Sequence, residues 1–247
     1  MKFRGTLRKE ISGFCRQVSF SQTAVTLCET EATVKQEQFL HHVFKSEICN
    51  REESRKARFL KEASFPVYKT FDKYDFKSLK LPGSLTQHHL KTASFVREKK
   101  NIVMYGQVGT GKSHLAVACG VNACQQDIPV KFFTVAELVV RLSTAMQNGT
   151  LEKLLKSILK AELIILDEWG YVPLDRQGAQ LLFRIISDSY ERRSIIITTN
   201  LEFSKWGSVF TDDQLAAAMI DRLAHHGHLI LFEGESYRMK NALMKEK

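Results

Sequence analysis

An eight-residue glycine-rich segment constrains the fold of this 247-residue chain more than any other feature. It runs from Gly106 to Ser113, reads GQVGTGKS and fits the pattern G-x-x-x-x-G-K-[ST]. The strand-like run NIVMY precedes it, and the helical pattern HLAVACGVNAC follows it. Glycines leave backbone N–H groups free to converge on phosphate oxygens, and the N-terminus of the following helix adds its dipole. The sequence therefore predicts a phosphate-binding loop, with a plain glycine-rich turn as the alternative.

Each residue of this loop has an expected task. Lys112 is expected to reach the β- and γ-phosphates of a nucleotide, and the Ser113 hydroxyl to complete the shell of a Mg2+ ion. The other nucleotide contacts are predicted for the rest of the loop and the residue after it: Gly106, Gln107, Val108, Gly109, Thr110, Gly111 and His114.

Polar residues end two later apolar runs. Asp167 and Glu168 follow LIIL, and Asn200 ends SIIITTN. The carboxyl ends of parallel strands form the crevice in which ligands bind, so these residues are expected near the phosphates. Asp167 is expected to hold Mg2+ largely through water, Glu168 to activate the attacking water, and Asn200 to bond that water or the γ-phosphate. The alternatives are that Asp167 and Glu168 form a solvated acidic pair at the end of a strand and that Asn200 is only a turn residue.

Strand-length apolar runs alternate with helical stretches over the second part of the chain. The runs are 101–105, 130–135, 162–167, 194–199 and 228–232. The helical stretches are about 113–126, 136–147, 151–160, 176–192 and 213–224. Strands joined by crossover helices form parallel sheets. We therefore predict an α/β fold with a five-stranded parallel sheet and helices on both faces.

The first part of the chain is predicted to be helical. Residues 34–63 contain neither Gly nor Pro and predict one long helix. Its apolar face is expected to contain Phe39, Leu40, Val43 and Phe44. Residues 7–20 predict a shorter helix interrupted by Gly13, and residues 21–34 show no clear period.

A domain boundary is expected after the long helix. Pro66 and the aromatic run YKTFDKYDF indicate a linker, and LPGSLT at 81–86 indicates another break. We expect a small helical N-terminal domain over residues 1–75 and the α/β domain over residues 76–247.

The formal charge of +9 is concentrated towards the N-terminus. Residues 1–80 hold 16 Lys and Arg against 10 Asp and Glu. Arg51, Arg55 and Arg58 recur at i, i+4 and i+7 of the predicted long helix and therefore share one side. This excess favours an anionic partner, and we expect these arginines to bind DNA phosphates. A self-neutralised helix face is the alternative, because Glu47 precedes Arg51 by four residues.

Composition also limits the location of the protein. An apolar content of 44% and a charged content of 26% are typical of globular proteins. No run approaches the roughly 18 apolar residues of a membrane span, and the basic N-terminus lacks the apolar segment of a secretory signal. The five cysteines form an odd set without a CxxC pair. We expect a cytoplasmic protein with reduced thiols and no membrane partner.

Taken together, the motifs resemble a family of ATPases. GQVGTGKS, LIILDEWG, IIITTN and AAAMIDRLAHHGHLILFEGESYR look like an AAA+ ATPase of the initiator and helicase-loader group, most of all like the IstB-like transposition helpers. The resemblance covers nearly the whole chain and is weakest over residues 1–34. It implies an AAA+ core that binds ATP and Mg2+, assembles into a homo-oligomer through its nucleotide sites, engages double-stranded DNA and activates an integrase-type transposase.

The resemblance also implies an active site shared between subunits. In such ATPases an arginine of the neighbouring subunit approaches the γ-phosphate and stabilises the transition-state charge. Arg222 in MIDRL matches this position, with a helix-end cation as the alternative. About fifteen residues follow the last predicted strand, so a full helical lid is not expected. Arg238 in GESYR is then expected to contact the nucleotide in place of a lid arginine, or to bind a partner.

Other functions stay open at this point. A helicase loader would use the same core and bind a replicative helicase through the N-terminal region. An exposed apolar face on residues 39–44 would favour this function. A metabolic kinase would transfer a phosphoryl group without DNA or assembly. His225, His226 and His228 lie close together, but no Cys or acid sits at ligand spacing, so a metal site is not expected there.

Overall fold

A computed structural model describes residues 2–72, 74–210 and 212–237, except for the side chains of Lys2 and Phe3. Contacts within the chain define two compact units, Met1–Arg58 and Phe59–Lys247. We refer to them as the N-terminal unit and the sheet unit, and describe each by itself.

The N-terminal unit is built from helices. Helix α1 spans Lys2–Gln17, α2 spans Gln22–Thr30, and α3, which continues beyond this unit, spans Val34–Ala63. Helix α1 passes through Gly13 without the predicted interruption. The burial of Ile11 and Cys15 on either side of Gly13 outweighs the cost of about 1 kcal/mol that a helical glycine carries.

A small apolar cluster stabilises this unit. It contains Leu7, Ile11, Cys15, Val25 and Phe44, with Leu40 packed against it. Leu40 and Phe44 therefore face inward, whereas Phe39 and Val43 keep 67% and 40% of their surface exposed. The four residues predicted to share one face divide between two, because each helical step turns the side chain by about 100°.

A buried carboxylate connects α1 to α3. Glu37 has no exposed surface and accepts hydrogen bonds from Arg4 Nη2 at 2.9 Å and Arg8 Nε at 2.6 Å. The hydrogen bond from Arg4 holds the pKa of Glu37 below its ordinary value, although desolvation opposes the shift. The charge of Glu37 thus stabilises the folded N-terminal unit.

The described residues of the sheet unit form six strands. They are β1 (Leu79–Lys80), β2 (Asn101–Gly106), β3 (Val130–Thr134), β4 (Leu163–Trp169), β5 (Ser194–Thr199) and β6 (Gly227–Phe232). Their spatial order is β1-β6-β2-β5-β4-β3. Strands β2 to β6 are parallel, as predicted, and β1 pairs antiparallel with β6 at the edge. Strand β1 has two residues, which are too few to show the apolar and polar alternation by which a strand is predicted from sequence.

Helices cover both faces of this sheet. They are α4 (Gln87–Lys91), α5 (Ser94–Arg97), α6 (Lys112–Gln125), α7 (Val135–Gln147), α8 (Leu151–Ile158), α9 (Arg176–Ser189), α10 (Trp206–Phe210) and α11 (Asp213–His225). Ile164 and Leu166 of β4 pack in the cluster with α7, α8, α9 and α11. Leu163 and Ile165 pack on the other face with α6. Among the described helices, none has the length and apolarity to cross a membrane.

The aromatic segment that the sequence suggests as a linker is part of the sheet unit. Phe65, Phe71, Tyr74 and Phe76 pack against the cluster beneath α6, as do Phe59 and Leu60. The compact units accordingly divide between Arg58 and Phe59 rather than near residue 75. Local composition pointed to a linker because the apolar surface that receives these rings comes from residues far along the chain.

Acidification should loosen the N-terminal unit first at Glu37. The folded-state pKa of this carboxyl is depressed, so its stabilisation is complete above the unfolded value of about 4.3 and is lost as the pH falls through the folded value. Protection factors of α1 and α3 amides, which correct for the intrinsic pH dependence of exchange, should fall in this window, and Glu37→Gln should show lower protection already at pH 7. Equal protection of the two proteins at pH 7 would contradict the assignment.

Candidate functional site

The glycine-rich segment forms a loop between β2 and α6. Gly109 and Gly111 have φ angles of +82° and +96°, in the left-handed region that favours glycine. At Gly106 an added Cβ would lie 2.7 Å from the carbonyl oxygen of Phe232. The glycines are thus required by backbone conformation and by close packing, as a phosphate-binding loop needs.

Lys112, the first residue of α6, folds back over the loop. It is buried, and its Nζ donates to the carbonyl oxygens of Gly106 and Gln107, each at 2.7 Å. The ammonium group is therefore held above the loop, where phosphate oxygens can compete for its protons. Thr110 Oγ1 also donates to Gln107 O at 2.8 Å and stabilises the turn, while Val108 is exposed.

Asp167 joins three elements of the sheet unit. This buried carboxylate on β4 accepts a hydrogen bond from Ser113 Oγ of α6 at 2.8 Å. The same Oδ1 atom accepts from Thr198 Oγ1 of β5. A carboxylate and a hydroxyl side by side are hard oxygen donors, which are the ligands that Mg2+ prefers. The pair Ser113 and Asp167 fits this ion.

A β-bulge places Glu168 apart from Asp167. Leu166 pairs with Ile197 and Trp169 with Thr199, so Asp167 and Glu168 together lie opposite the single residue Thr198. Glu168 adopts φ +61° and its side chain is exposed. Its N–H, displaced from the regular ladder, donates to Thr198 Oγ1 at 3.1 Å. The bulge brings both adjacent carboxylates to the loop end of the sheet, one buried and one open to solvent.

Asn200 follows β5 at this same end of the sheet. It is exposed, directly after Thr199, whose Oγ1 donates to Trp169 O at 2.8 Å and accepts from Leu201 N–H at 3.0 Å. The chain just before Asn200 is therefore fixed to the bulge that carries Glu168. The sequence pattern did not single out Thr198 or Thr199, because a threonine in an apolar strand carries no signal of its own.

The aromatic segment adds residues to the site that the sequence analysis missed. Tyr74 Oη donates to Gly111 O at 3.4 Å, and its ring lies 5.1 Å from that of His114. His114 Nε2 lies 3.1 Å from Thr70 O. Burial raises the pKa of the Tyr74 hydroxyl, so it remains a protonated donor. The available signal is the run YKTFDKYDF, whose local composition indicates a linker instead.

The segment after β6 returns to the loop. Tyr237 N–H donates to Gly109 O at 3.0 Å, and a Cβ on Gly109 would lie 2.1 Å from Ser236 Oγ. Arg238, the residue predicted to contact the nucleotide, comes next in the chain and lies outside the described residues.

Arg222 is not assembled with these residues within one chain. Its Nη1 donates to Ala218 O at 2.9 Å, and its guanidinium lies 4.9 Å from the centre of the Phe183 ring. Ala218 lies on α11, the helix that carries Arg222, and Phe183 lies on α9. Of the predicted DNA contacts on α3, Arg51 donates to Glu47 at 2.6 Å, and Arg55 and Arg58 are exposed.

The family match and the most similar relatives agree with one another. Residues 18–245 match the family described as IstB-like ATP binding protein. The chain is 36% identical over 210 residues to an ATP-binding protein of insertion sequence IS5376 from Geobacillus stearothermophilus, covering 85% of this chain and 84% of that protein. It is 37% identical over 203 residues to the corresponding protein of IS21 from Pseudomonas aeruginosa, covering 82% and 77%.

Solved structures show the same fold. The crystal structure of the DnaC helicase loader matches with a TM-score of 0.52 and 24% identity, covering 71% of this chain and 98% of that one. DnaA from Aquifex aeolicus bound to AMPPCP matches with a TM-score of 0.52 and 21% identity, covering 71% and 53%. At these identities the likeness shows the fold alone, which is that of AAA+ proteins.

A methyl group at Gly109 should weaken ATP binding. Gly109→Ala forces a residue with a side chain into φ +82° and against Ser236, so we expect at least a tenfold loss of affinity for a fluorescent ATP analogue, about 1.4 kcal/mol. Gly149→Ala is the matched control, because Gly149 has φ +67° with open space around it. This control should lose about 1–2 kcal/mol of stability and keep its ATP affinity. Equal affinities of both variants would count against the loop assignment.

Proposed function

Because the chain belongs to the IstB-like ATP binding protein family, we propose that it is an ATPase that assembles on double-stranded DNA and activates an integrase-type transposase during insertion-sequence transposition. Relatives that are 36% and 37% identical are ATP-binding proteins of insertion sequences. The helicase-loader alternative is supported by a likeness of fold to DnaC and by the exposed side chains of Phe39 and Val43. The family match and these relatives cover most of the chain and come from insertion sequences, so transposition is the favoured function.

The arrangement of Asp167 and Glu168 carries the proposal that ATP is hydrolysed. Binding alone needs the loop, Lys112 and the acidic oxygen beside Ser113. The second carboxylate, turned out of the sheet by the bulge at Glu168, has no task in binding and suits a general base. The active site proposed here consists of Lys112, Ser113, Asp167, Glu168 and Asn200.

In the proposed hydrolysis each of these residues has a separate task. Lys112 donates to oxygens of the β- and γ-phosphates, and Asn200 orients the attacking water. As the water oxygen bonds to the γ-phosphorus, the bond to the bridging oxygen breaks and Glu168 takes the water proton. Ser113 and Asp167 would hold Mg2+, which when bound neutralises charge on the phosphates.

Assembly completes the site in this proposal. The contacts of Arg222 with α9 and α11 hold its guanidinium in place without using it in the chain's own nucleotide site. The guanidinium of Arg222 can therefore lie next to the γ-phosphate of the nucleotide that a neighbouring subunit binds. A cation there stabilises the charge of the transition state. Hydrolysis then depends on self-assembly, and the basic surface of α3 supplies phosphate contacts to DNA.

Glu168→Gln should separate binding from hydrolysis. The amide keeps the size of the side chain but cannot accept the proton, so turnover should fall by about 10²–10⁴-fold while ATP affinity stays the same. Glu202→Gln, an exposed glutamate shortly after Asn200, is the control and should hydrolyse ATP normally. The measurement is phosphate release under single-turnover conditions, together with nucleotide titration. Normal turnover of Glu168→Gln would remove this residue from the mechanism.

DNA binding should depend on ATP and on the arginines of α3. With a non-hydrolysable ATP analogue, log affinity for duplex DNA should fall with log salt with a slope of about −0.9 per phosphate neutralised. Replacing Arg51, Arg55 and Arg58 by Gln should flatten this slope, whereas replacing three exposed arginines of the sheet unit, Arg97, Arg176 and Arg192, should not. An unchanged slope in the α3 variant would show that its basic surface does not contact DNA.

A further inference from the structure

A cluster of potential metal ligands lies at the end of the sheet opposite the phosphate-binding loop. Glu191, His225 and His226 each offer a ligand atom, and these atoms lie within 4.8 Å of one another. His226 immediately precedes β6, whose first residue pairs with Asn101 at the start of β2, whereas the loop follows the other end of β2. The sequence carries no signal that links Glu191 to these histidines, because Glu191 comes from the turn between α9 and β5.

Hydrogen bonds within this cluster fix the orientation of its rings. Tyr190 Oη and His225 Nδ1 are 2.7 Å apart, and His226 Nε2 lies 2.7 Å from Glu191 Oε1. If Nδ1 of His225 donates its proton to the Tyr190 oxygen, Nε2 keeps a lone pair for a ligand. This is how neighbouring hydrogen bonds orient imidazoles that bind metals.

Packing and backbone conformation hold the same groups in place. The rings of His225 and His226 lie 4.3 Å apart, and the Tyr190 ring lies 5.7 Å from that of His226. Glu191 follows the C-cap residue Tyr190 of α9 and has φ +57°, a left-handed position that glycine or asparagine usually occupies. A glutamate there accepts backbone strain, and its Oε1 lies 2.7 Å from His226 Nε2.

We propose that Glu191, His225 and His226 bind a divalent transition-metal ion of the zinc class. Two imidazoles and one carboxylate are the donor set that Zn2+ accepts and that Mg2+ does not prefer. Three protein ligands leave a fourth tetrahedral position for water or a further ligand. The side chains of His226 and Glu191 are 30% and 56% exposed, so an ion from solvent reaches them.

The bound ion would connect two segments that carry different parts of the sheet unit. Glu191 lies in the turn between α9 and β5, and the two histidines lie at the junction of α11 with β6. The backbone of the histidine segment is already fixed, because Asn101 N–H donates to His226 O at 2.7 Å. Metal binding therefore adds a cross-link to a site whose ligands are largely in position.

The test is Zn2+ titration of the untagged, metal-stripped full chain by calorimetry, with Mg2+ as the comparison ion. We expect one Zn2+ to bind per chain at this site. The affinity of the site for Mg2+ should be lower than its affinity for Zn2+. Glu191→Gln and His226→Ala should each weaken Zn2+ binding by at least about tenfold, and Tyr190→Phe by about tenfold. His88→Ala, an exposed histidine of α4, is the matched control and should bind as the unchanged chain does.

Two further readouts separate this site from the thiols and from misfolding. Co2+ bound here should show d–d absorption without a thiolate-to-metal band, and Zn2+ should raise the unfolding temperature of the unchanged chain but not of Glu191→Gln. ATP binding reports whether each variant is folded and should be unaffected. Equal Zn2+ affinity in Glu191→Gln, His226→Ala and the unchanged chain, or a Co2+ spectrum with thiolate ligands only, would overturn the proposal.

Discussion

A single carboxylate oxygen organises the loop end of the sheet. Asp167 Oδ1 accepts hydrogen bonds from Ser113 on α6 and from Thr198 on β5, so it joins the phosphate-binding loop to two strands. A buried charge without such partners would be costly, and hydrogen bonds to a charged group are roughly twice as strong as neutral ones. Because the Thr198 proton goes to Asp167, the Thr198 oxygen is left to accept the N–H of Glu168. The positions of both carboxylates thus depend on one hydroxyl.

The bulge has an energetic cost that neighbouring packing offsets. A left-handed residue with a side chain costs about 1–3 kcal/mol, and Glu168 is one. The next residue, Trp169, is fully buried, with its ring 4.9 Å from Trp206 and 5.1 Å from Phe210. Packing of this indole on its two aromatic neighbours opposes the strain. The chain leaves the regular ladder at Glu168 and is fixed again one residue later.

Much of this fold could be predicted from sequence, and the misses share a physical cause. The loop at Gly106–Ser113 and the five parallel strands depend on local composition and period, which one sequence contains. The aromatic segment around Tyr74, the strand β1 and the partner Glu191 of His226 depend on contacts between distant parts of the chain. At the site, the motif residues Lys112, Asp167 and Glu168 were identifiable, whereas Thr198 became visible only when strand register placed it opposite them.

The two ends of β2 are fixed by different means, and together they set where the loop lies. At the start of β2, the buried Asn101 side chain accepts from Ile195 N–H at 2.9 Å and donates to Leu223 O at 3.4 Å. This amide joins β2 to β5 and α11 where water cannot compete. At the other end, Gly106 packs so closely on Phe232 that a Cβ would lie 2.7 Å from its carbonyl oxygen. The strand between these points pairs with β5 on one side and β6 on the other, so the sheet sets the position of the loop.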